Sequence, residues 1–337
     1  MEYEVTQSQD LLDKNGQLMS EGWARRPLWR YRRQSVTSSP LRLREWEHYT
    51  FVSYRHRLAL STTFSDMGRA AYFAIAFVDY EAKTVQQVHA RQLLSLHRTG
   101  LSENFDDYTV SWANKELRLA FSKRKQTRRL LLGSPVLDLN ADVSIEQPAD
   151  QQSISIASTW AHRPKAFFLN EKINCLRTRG ILHVGNQRYE MEEGESFATL
   201  NWGKRSGPYR KKGYWASASG LVDHICIGLH LNYSLDSQAR FSENAIVYNG
   251  VIHKLGFAEF SIPTTYTQKW HFKTADKRLD ILFEPAVNTP TAMSTGGAKT
   301  EQKQLFGSFK GTVILDDGTK VEIDELLGFA EVIYSLF

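Results

Sequence analysis

Short runs with period-two patterning, each ended by tight-turn residues, constrain the fold of this chain more than any other feature. Asn244–Tyr248 and Val251–Leu255 flank Asn249-Gly250, a pair that tolerates the positive φ a two-residue hairpin demands. Counting outward from that turn pairs Tyr248 with Val251, Val247 with Ile252 and Ile246 with His253. Ile181–Val184 and Gln187–Met191 flank Gly185-Asn186, and Thr312–Leu315 and Lys320–Ile323 flank Asp316-Asp317-Gly318-Thr319. Earlier, Ala71–Asp79 and Thr84–Ala90 flank Tyr80-Glu81-Ala82-Lys83, and Tyr108–Ala113 and Glu116–Ser122 pair across Asn114-Lys115. In that last pair Leu117, Leu119 and Phe121 share one face and Arg118 and Ala120 the other, the alternation of a half-buried strand. Glu47–Leu60 alternates imperfectly, and Arg278–Phe283 alternates well.

Many short strands joined this closely predict an all-β fold of antiparallel sandwiches or barrels with few short helices. Outside weak candidates at 5–14, 86–97 and 166–175, no stretch of ten or more residues reads as a helix. At 337 residues the chain is long for one core and suits two packed halves. Asn140–Ser155, with Asp142, Glu146, Pro148, Asp150 and adjacent glutamines, has little apolar content and predicts a boundary near residue 150. The expected organisation is a basic segment, 1–45, docking on the body, then β domains over 46–150 and 151–337. The polar stretch Asn288–Gln302, with Gly296-Gly297, reads as a mobile loop, either a lid or slack.

Several chemistries are not expected. The two cysteines, Cys175 and Cys226, show no CxxC or Cys/His ligand spacing, and no HxH, HExxH or facial-triad pattern occurs, so no metal site follows. A P-loop, a GxGxxG after a strand and a GxSxG elbow are also missing, so no cofactor is expected. The N-terminus lacks a basic region followed by an apolar core, and the longest apolar run, Ala70–Val78, is about half of a spanning helix, so a cytoplasmic location is the expectation. The formal charge of +5 is too low for a dedicated nucleic-acid binder. Two basic clusters nevertheless stand out. Gly22–Arg44 carries seven arginines and no acid among Trp23, Trp29 and Tyr31. The second comprises Arg118, Lys123, Arg124, Lys125, Arg128 and Arg129. They allow weak association with an anionic membrane surface, or simply solvated sheet edges that resist aggregation.

Residues 201–255 place aromatic, small, carboxamide and ionisable side chains together on strand-like segments. Trp202, Arg205, Tyr214 and Trp215 suit an aromatic box with a guanidinium, able to stack and to hold an acidic head group, or equally a barrel-closing core. An inward-pointing Glu243 would be a desolvated general acid, coupled to His253 or Lys254 across the hairpin; the alternative is a buried salt bridge that locks the hairpin. Asn244 and, on the final strand, Glu331 complete the candidate lining. Asp223 and His224, adjacent before a strand, fall on opposite faces and make a poor dyad. His48, His183, His230 and His271 are dispersed.

Spaced motifs along nearly the whole chain resemble one family. They are Gly22-Trp23-Ala24-Arg25-x-Pro27-Leu28, Glu45-Trp46-x-x-Tyr49 and Ser65-Asp66-x-Gly68 near the N-terminus. Centrally they are Trp215-Ala216-Ser217-Ala218-Ser219-Gly220, Glu243-Asn244-Ala245-Ile246 and His253-Lys254-Leu255. Gln304-x-Phe306-Gly307-x-Phe309-x-Gly311 and Gly328-Phe329-Ala330-Glu331 follow. Together they resemble the bacterial domain of unknown function family 2804, which carries no established activity. Trp202-Gly203 followed by Tyr214-Trp215 also looks like the tryptophan-rich strands of the carotenoid hydratase and tocopherol cyclase groups. That likeness implies two lipocalin-like barrel halves and isoprenoid-type substrates handled without redox cofactors. Thr199-Leu200-Asn201 stands where those groups carry a histidine–aspartate pattern, so the likeness extends to the fold and not to that motif.

These readings lead to an expected binder of an apolar or amphipathic small molecule, held in a barrel mouth or between the halves. The alternatives are a cofactor-free hydratase, isomerase or cyclase in which Glu243 protonates an alkene or epoxide, and a basic-surface protein for membranes or nucleic acid.

Overall fold

The chain builds two curled antiparallel sheets, each from hairpins that bring its first and last long strands together. The computed structural model describes residues 3–160, 163–207, 210–234, 241–295 and 298–336. Short strands β1 (Gln9–Asp10), β2 (Gly22–Ala24) and β3 (Trp29–Arg30) lie in the N-terminal segment. Two meanders follow: β4 (Leu43–Ser53), β5 (Leu58–Asp66), β6 (Ala70–Asp79) and β7 (Thr84–Leu93), then β8 (Tyr108–Ala113), β9 (Arg118–Arg124), β10 (Thr127–Ser134) and β11 (Leu139–Glu146). Strands β12 (Ile154–Trp160), β13 (Arg163–Val184), β14 (Gln187–Met191) and β15 (Ser196–Ser206) complete the first sheet, in which β15 lies between β4 and β13. The second sheet runs through β16 (Arg210–Val222), β17 (Ile225–Ser234), β18 (Ala245–Tyr248), β19 (Val251–Lys254), β20 (Ala258–Ser261), β21 (Trp270–Thr274), β22 (Leu279–Thr295), β23 (Ala298–Ile314) and β24 (Lys320–Leu336). Here too the ends meet, with β16 paired to β24.

The hairpin register agrees with the turn count: Tyr248 faces Val251, Val247 faces Ile252 and Ile246 faces His253, with Asn249 and Gly250 both at positive φ. Asp223 and His224 are themselves a two-residue turn, both left-handed, between β16 and β17. Their short polar side chains suit that conformation.

Two expectations are overturned. Residues 86–97 and 166–175 are not helical but lie largely in β7 and β13, and 5–14 contains only β1 and isolated bridges. The stretch 288–302 is not a loop. Its described residues continue β22 and β23 as a paired ladder, from Asn288 opposite Leu305 to Thr295 opposite Ala298, so their backbone groups are satisfied by each other. Gly296 and Gly297 lie outside the described residues. The first sheet runs on through Ser206, with β13 and β15 joining β11 to β4, and the second begins with β16.

Each half has its own core. Tyr49, Phe51, Phe64, Phe73 and Phe121 fill the first, with Trp29 and Tyr31 of the N-terminal segment packed in among them. Trp270, Phe272, Phe283 and Phe309 fill the second. A third apolar layer, including Val52, Phe197, Trp215, Phe306 and Phe329, glues the halves face to face. The N-terminal arginines are engaged: Arg33 pairs with Glu45 at 3.0 Å and Glu103 at 3.2 Å, and Arg25 with Glu4 at 3.0 Å. Of the second basic cluster, Arg128 is buried inside the first half and Arg129 pairs with Asp142. Among the described residues no helix is long and apolar enough to cross a membrane.

Candidate functional site

Strands β13, β15 and β4 each send one face into the first core and the other toward the second half. On the outer face, register sets three rows. Phe168 faces Arg205, which faces Arg44; Asn170 faces Gly203, which faces Trp46; Lys172 faces Asn201, which faces His48. All of these except Arg44 and Gly203 floor a cavity of about 240 Å³, roofed by Gly213, Tyr214, Trp215, Asn232, Glu331 and Ile333 of the second half. Gly203 lets the Trp46 indole lie across the middle row, since a methyl group there would sit 2.1 Å from its Cζ2 atom. The indole Nε1 donates to Asn201 Oδ1 at 2.9 Å.

The cavity has an open and a closed end. Trp46, Phe168, Tyr214 and Ile333 are half-buried, whereas His48, Lys172, Trp215 and Glu331 are buried. At the closed end Lys172 Nζ lies 4.3 Å from the Trp215 ring centroid, a cation–π contact, and Phe329 meets that indole edge-on at 4.6 Å. The His48 ring nitrogens engage Thr63 Oγ1 at 2.8 Å and Thr50 Oγ1 at 3.1 Å. Burial, reinforced by Lys172, holds its pKa down at about 3, so the ring is neutral.

Two buried carboxyls here are pushed in opposite directions. Burial raises Glu243, but Lys172, His230 and Asn170 outweigh it and hold the group ionised, at about 2. Its oxygens lie 3.2 Å from His230 Nε2 and accept Asn170 Nδ2 at 2.7 Å. Burial also keeps His230 neutral, at about 4, so Nε2–H donates to the carboxylate. His230 Nδ1 then has no hydrogen-bond partner among the described residues. In the cavity wall, burial pushes Glu331 up to about 7, against the opposing pulls of Trp215, Gln302 and Lys172. Gln304 Nε2 donates to it at 3.4 Å. At neutral pH a carboxyl that is partly protonated and a fixed carboxylate thus stand around one lysine, the separation that divides acid from base roles.

The model of a domain of unknown function, DUF2804, matches residues 2–337. The chain belongs to this family. No curated protein matches the sequence. Among solved structures the DUF2804 chain is similar to CghA with Sch210972, at 11% identity over 88% of this chain and 89% of that one, with a TM-score of 0.57. It is also similar to a putative AttH from Nitrosomonas europaea, at 12% identity over 86% and 92%, with a TM-score of 0.53. Kievitone hydratase from Nectria haematococca matches at 10% identity over 87% and 88%, with a TM-score of 0.50. The shared feature is the fold, two lipocalin-like halves.

The structure splits the residues singled out from the DUF2804 sequence. Arg205, Tyr214, Trp215 and Glu331 line the cavity. Trp202 does not: three residues from Arg205 on one strand, it takes the opposite face and packs on Phe105 inside the first half. Asn244 is a clip, with Oδ1 accepting from the Asn232 backbone at 2.7 Å and Nδ2 donating to Gly256 O at 3.1 Å. Lys254 Nζ donates to Ser242 Oγ at 2.8 Å and to Leu255 O at 3.0 Å. His253 is not the partner of Glu243; its Nδ1 accepts from the Asp316 backbone N–H at 3.1 Å, and His230 holds Glu243 instead. Sequence reasoning missed Trp46, His48, Asn170, Lys172 and His230. The signal was present in 166–175, where period two puts Phe168, Asn170, Lys172 and Asn174 on one face, but a helical reading of that stretch hides it. Among the described residues no group of three or more His, Cys, Asp or Glu side chains is placed to hold a metal ion.

Proposed function

We propose that this DUF2804 protein binds an amphipathic small molecule in the cavity between its halves. The observation that carries the reading is a cavity whose walls are Trp46, Phe168, Trp215 and Ile333 and whose closed end is Lys172 and Glu331. Apolar walls with a few convergent polar groups are the pattern of a small-molecule site. The CghA structure, of similar fold, holds Sch210972, which supports the same use of the architecture here. Native mass spectrometry of protein purified from its own cells tests it. The expected spectrum shows a bound organic molecule, absent from Trp215→Ala; protein that emerges empty would sink the reading.

A second reading, proton-transfer catalysis on that ligand, is favoured by Glu331. A carboxyl with a pKa of about 7 is matched to donating and retaking a proton at neutral pH. Glu243 does not suit that role, because it is held ionised. Lys172 on the Trp215 face disfavours a carbocation and favours developing negative charge. The chemistry that fits is therefore addition to a double bond conjugated to a carbonyl. Water attacks the β-carbon, charge gathers on the carbonyl oxygen near Lys172, and Glu331 delivers its proton to the α-carbon. The proton lost by the attacking water returns to Glu331. One relative in fold is a hydratase by name, in keeping with this class. Glu331→Gln is expected to retain a ligand lighter by one water than the one wild type carries. Identical ligand masses from both proteins would remove the catalytic reading and leave the binding one.

A further inference from the structure

Leu41, Leu93, Leu94 and Leu96 lie exposed on one edge of the first sheet. The edge forms where three segments converge: 40–42 ahead of β4, the β5–β6 turn, and the chain leaving β7. Leu94 N–H donates to Arg69 O at 2.7 Å, Leu96 N–H donates to Gly68 O at 2.9 Å, and His97 Nε2 lies 2.8 Å from Pro40 O. Gly68, at a φ of +70°, sits so tightly under Pro40 that a methyl group would meet its carbonyl oxygen at 2.5 Å. Leu93 and Leu94 are 65% and 71% exposed, and Leu41 and Leu96 are each 40% exposed. A single exposed leucine is ordinary, but four on one edge make a patch of the kind that marks an interaction surface.

The backbone holds these leucines outward. Leu94, Leu96 and His97 have φ of 51°, 48° and 60°, a left-handed conformation that costs free energy for side chains of this bulk and persists only where the surroundings impose it. Buried bonds impose it here: Ser95 Oγ donates to Asp66 Oδ1 at 2.6 Å, and His97 Nδ1 lies 3.0 Å from Glu45 Oε2. Ser95, His97, Asp66 and Glu45 are all buried, which leaves the alternate residues, Leu94 and Leu96, turned to solvent. Segments 40–42, 67–70 and 91–98 carry Arg42, Arg69, Arg91 and Arg98 and no acidic residue. Arg42, Arg69 and Arg91 also interact with other groups of the protein, so the leucines define the surface and the arginines set its sign. A second copy meeting this edge face to face would bring like charges together. Apolar tips with a basic rim suit an anionic lipid surface instead.

We propose that this edge docks the protein on an anionic lipid bilayer, with the four leucines entering the boundary between head groups and acyl chains and the arginines lying over anionic head groups. Register places the edge at the start of β4, where Glu45 faces Asp66, the same end of that strand as the half-buried Trp46 at the open end of the cavity. A docked molecule therefore holds its cavity mouth beside the bilayer, so that an amphipathic ligand passes between the two with little exposure to water. That consequence rests on the cavity being a ligand site; the docking does not.

Co-sedimentation of the full chain with vesicles of phosphatidylcholine alone, and of an equal mixture with phosphatidylglycerol, tests the docking. Wild type is expected to bind the mixed vesicles about tenfold or more tightly than the neutral ones. Leu93→Ser/Leu94→Ser should weaken binding to the mixed vesicles about tenfold or more, and Arg98→Glu should narrow the preference between the two compositions. Leu131→Ser, at an exposed leucine on β10, should change neither. All the substituted side chains are exposed, so circular dichroism of the variants should match wild type. No sedimentation with either composition, equal affinity for both, or binding that survives Leu93→Ser/Leu94→Ser would each overturn the proposal. A dimer in size-exclusion chromatography that the leucine variant dissolves, with no binding to vesicles, would overturn it too and assign the edge to a second copy.

Discussion

At the residue scale, the tryptophan–glycine pair gains its meaning from the glycine. Trp202 is core, while Gly203 is the flat spot on which Trp46 lies. Gly203→Ala should push the Trp46 ring off its site, break the Nε1–Asn201 bond and destabilise the fold by about 1–3 kcal/mol, the usual range for overpacking. Denaturant unfolding measures the loss, and an unchanged midpoint with unchanged Trp emission would show that the ring does not lie there. Glu331 makes a prediction with a definite sign. Its folded pKa, about 7, exceeds the ordinary 4.5, so between those values the folded protein binds more protons than the unfolded chain. Stability associated with this group is present below pH 4.5 and is lost as pH rises through about 7, by up to about 3 kcal/mol. Glu331→Gln cannot ionise, so its stability relative to wild type should climb over that window. A difference that stays flat from pH 5 to 8 would rule out the raised pKa.

At the scale of elements, β4, β13 and β15 explain why their sequences resist a simple reading. Glu45, Glu47, Tyr49 and Phe51 face the first half's interior, and Trp46, His48, Thr50 and Val52 face the second half. With both faces buried, the polar–apolar alternation of a surface strand disappears. The β13 bulge between Ile173 and Leu176, with Cys175 at positive φ, accompanies the main tie between the sheets. Asn174 Nδ2 donates to Ser217 Oγ at 2.8 Å and reaches Leu229 O at 3.1 Å, and the Cys175 N–H donates to Ser219 Oγ at 3.0 Å. Asn174→Ala should cost about 1–3 kcal/mol by leaving these buried groups unsatisfied. The check is chemical denaturation beside an exposed control such as Asn15→Ala; equal, negligible effects would show that the tie carries no stability.

At the scale of the whole molecule, the halves share too much surface to behave independently. Tyr54 Oη donates to Ser219 O at 3.1 Å and accepts the Leu327 N–H at 2.9 Å, Arg57 pairs with Glu325 at 2.7 Å, and the Phe197, Trp215 and Phe329 layer lies between the halves. Calorimetry at neutral pH should give one unfolding transition; two resolved transitions would mean the seam is weak. Acid should weaken the seam. His48 and His230 titrate at about 3 and about 4 when folded against 6.5 ordinarily, and Glu243 at about 2 against 4.5. Between pH 6.5 and 4.5 Glu331 and Glu171, both raised to about 7, work against the two histidines; below pH 4.5 the unfolded chain binds more protons, and stability falls from there toward pH 3. A melting temperature that holds constant from pH 4.5 to 3 would contradict these assignments.

Turn chemistry and local periodicity were enough to establish the all-β architecture and the Asn249-Gly250 register. Those properties depend on neighbours in sequence, where φ preferences and alternation act directly. Which face of each strand met which partner was decided only in three dimensions. The Asn170–Glu243 bond and the Lys172–Trp215 contact join strands distant in sequence, so no spacing along the chain encodes them. They exist because two curled sheets close on themselves and then press together, burying charges whose properties follow from what surrounds them.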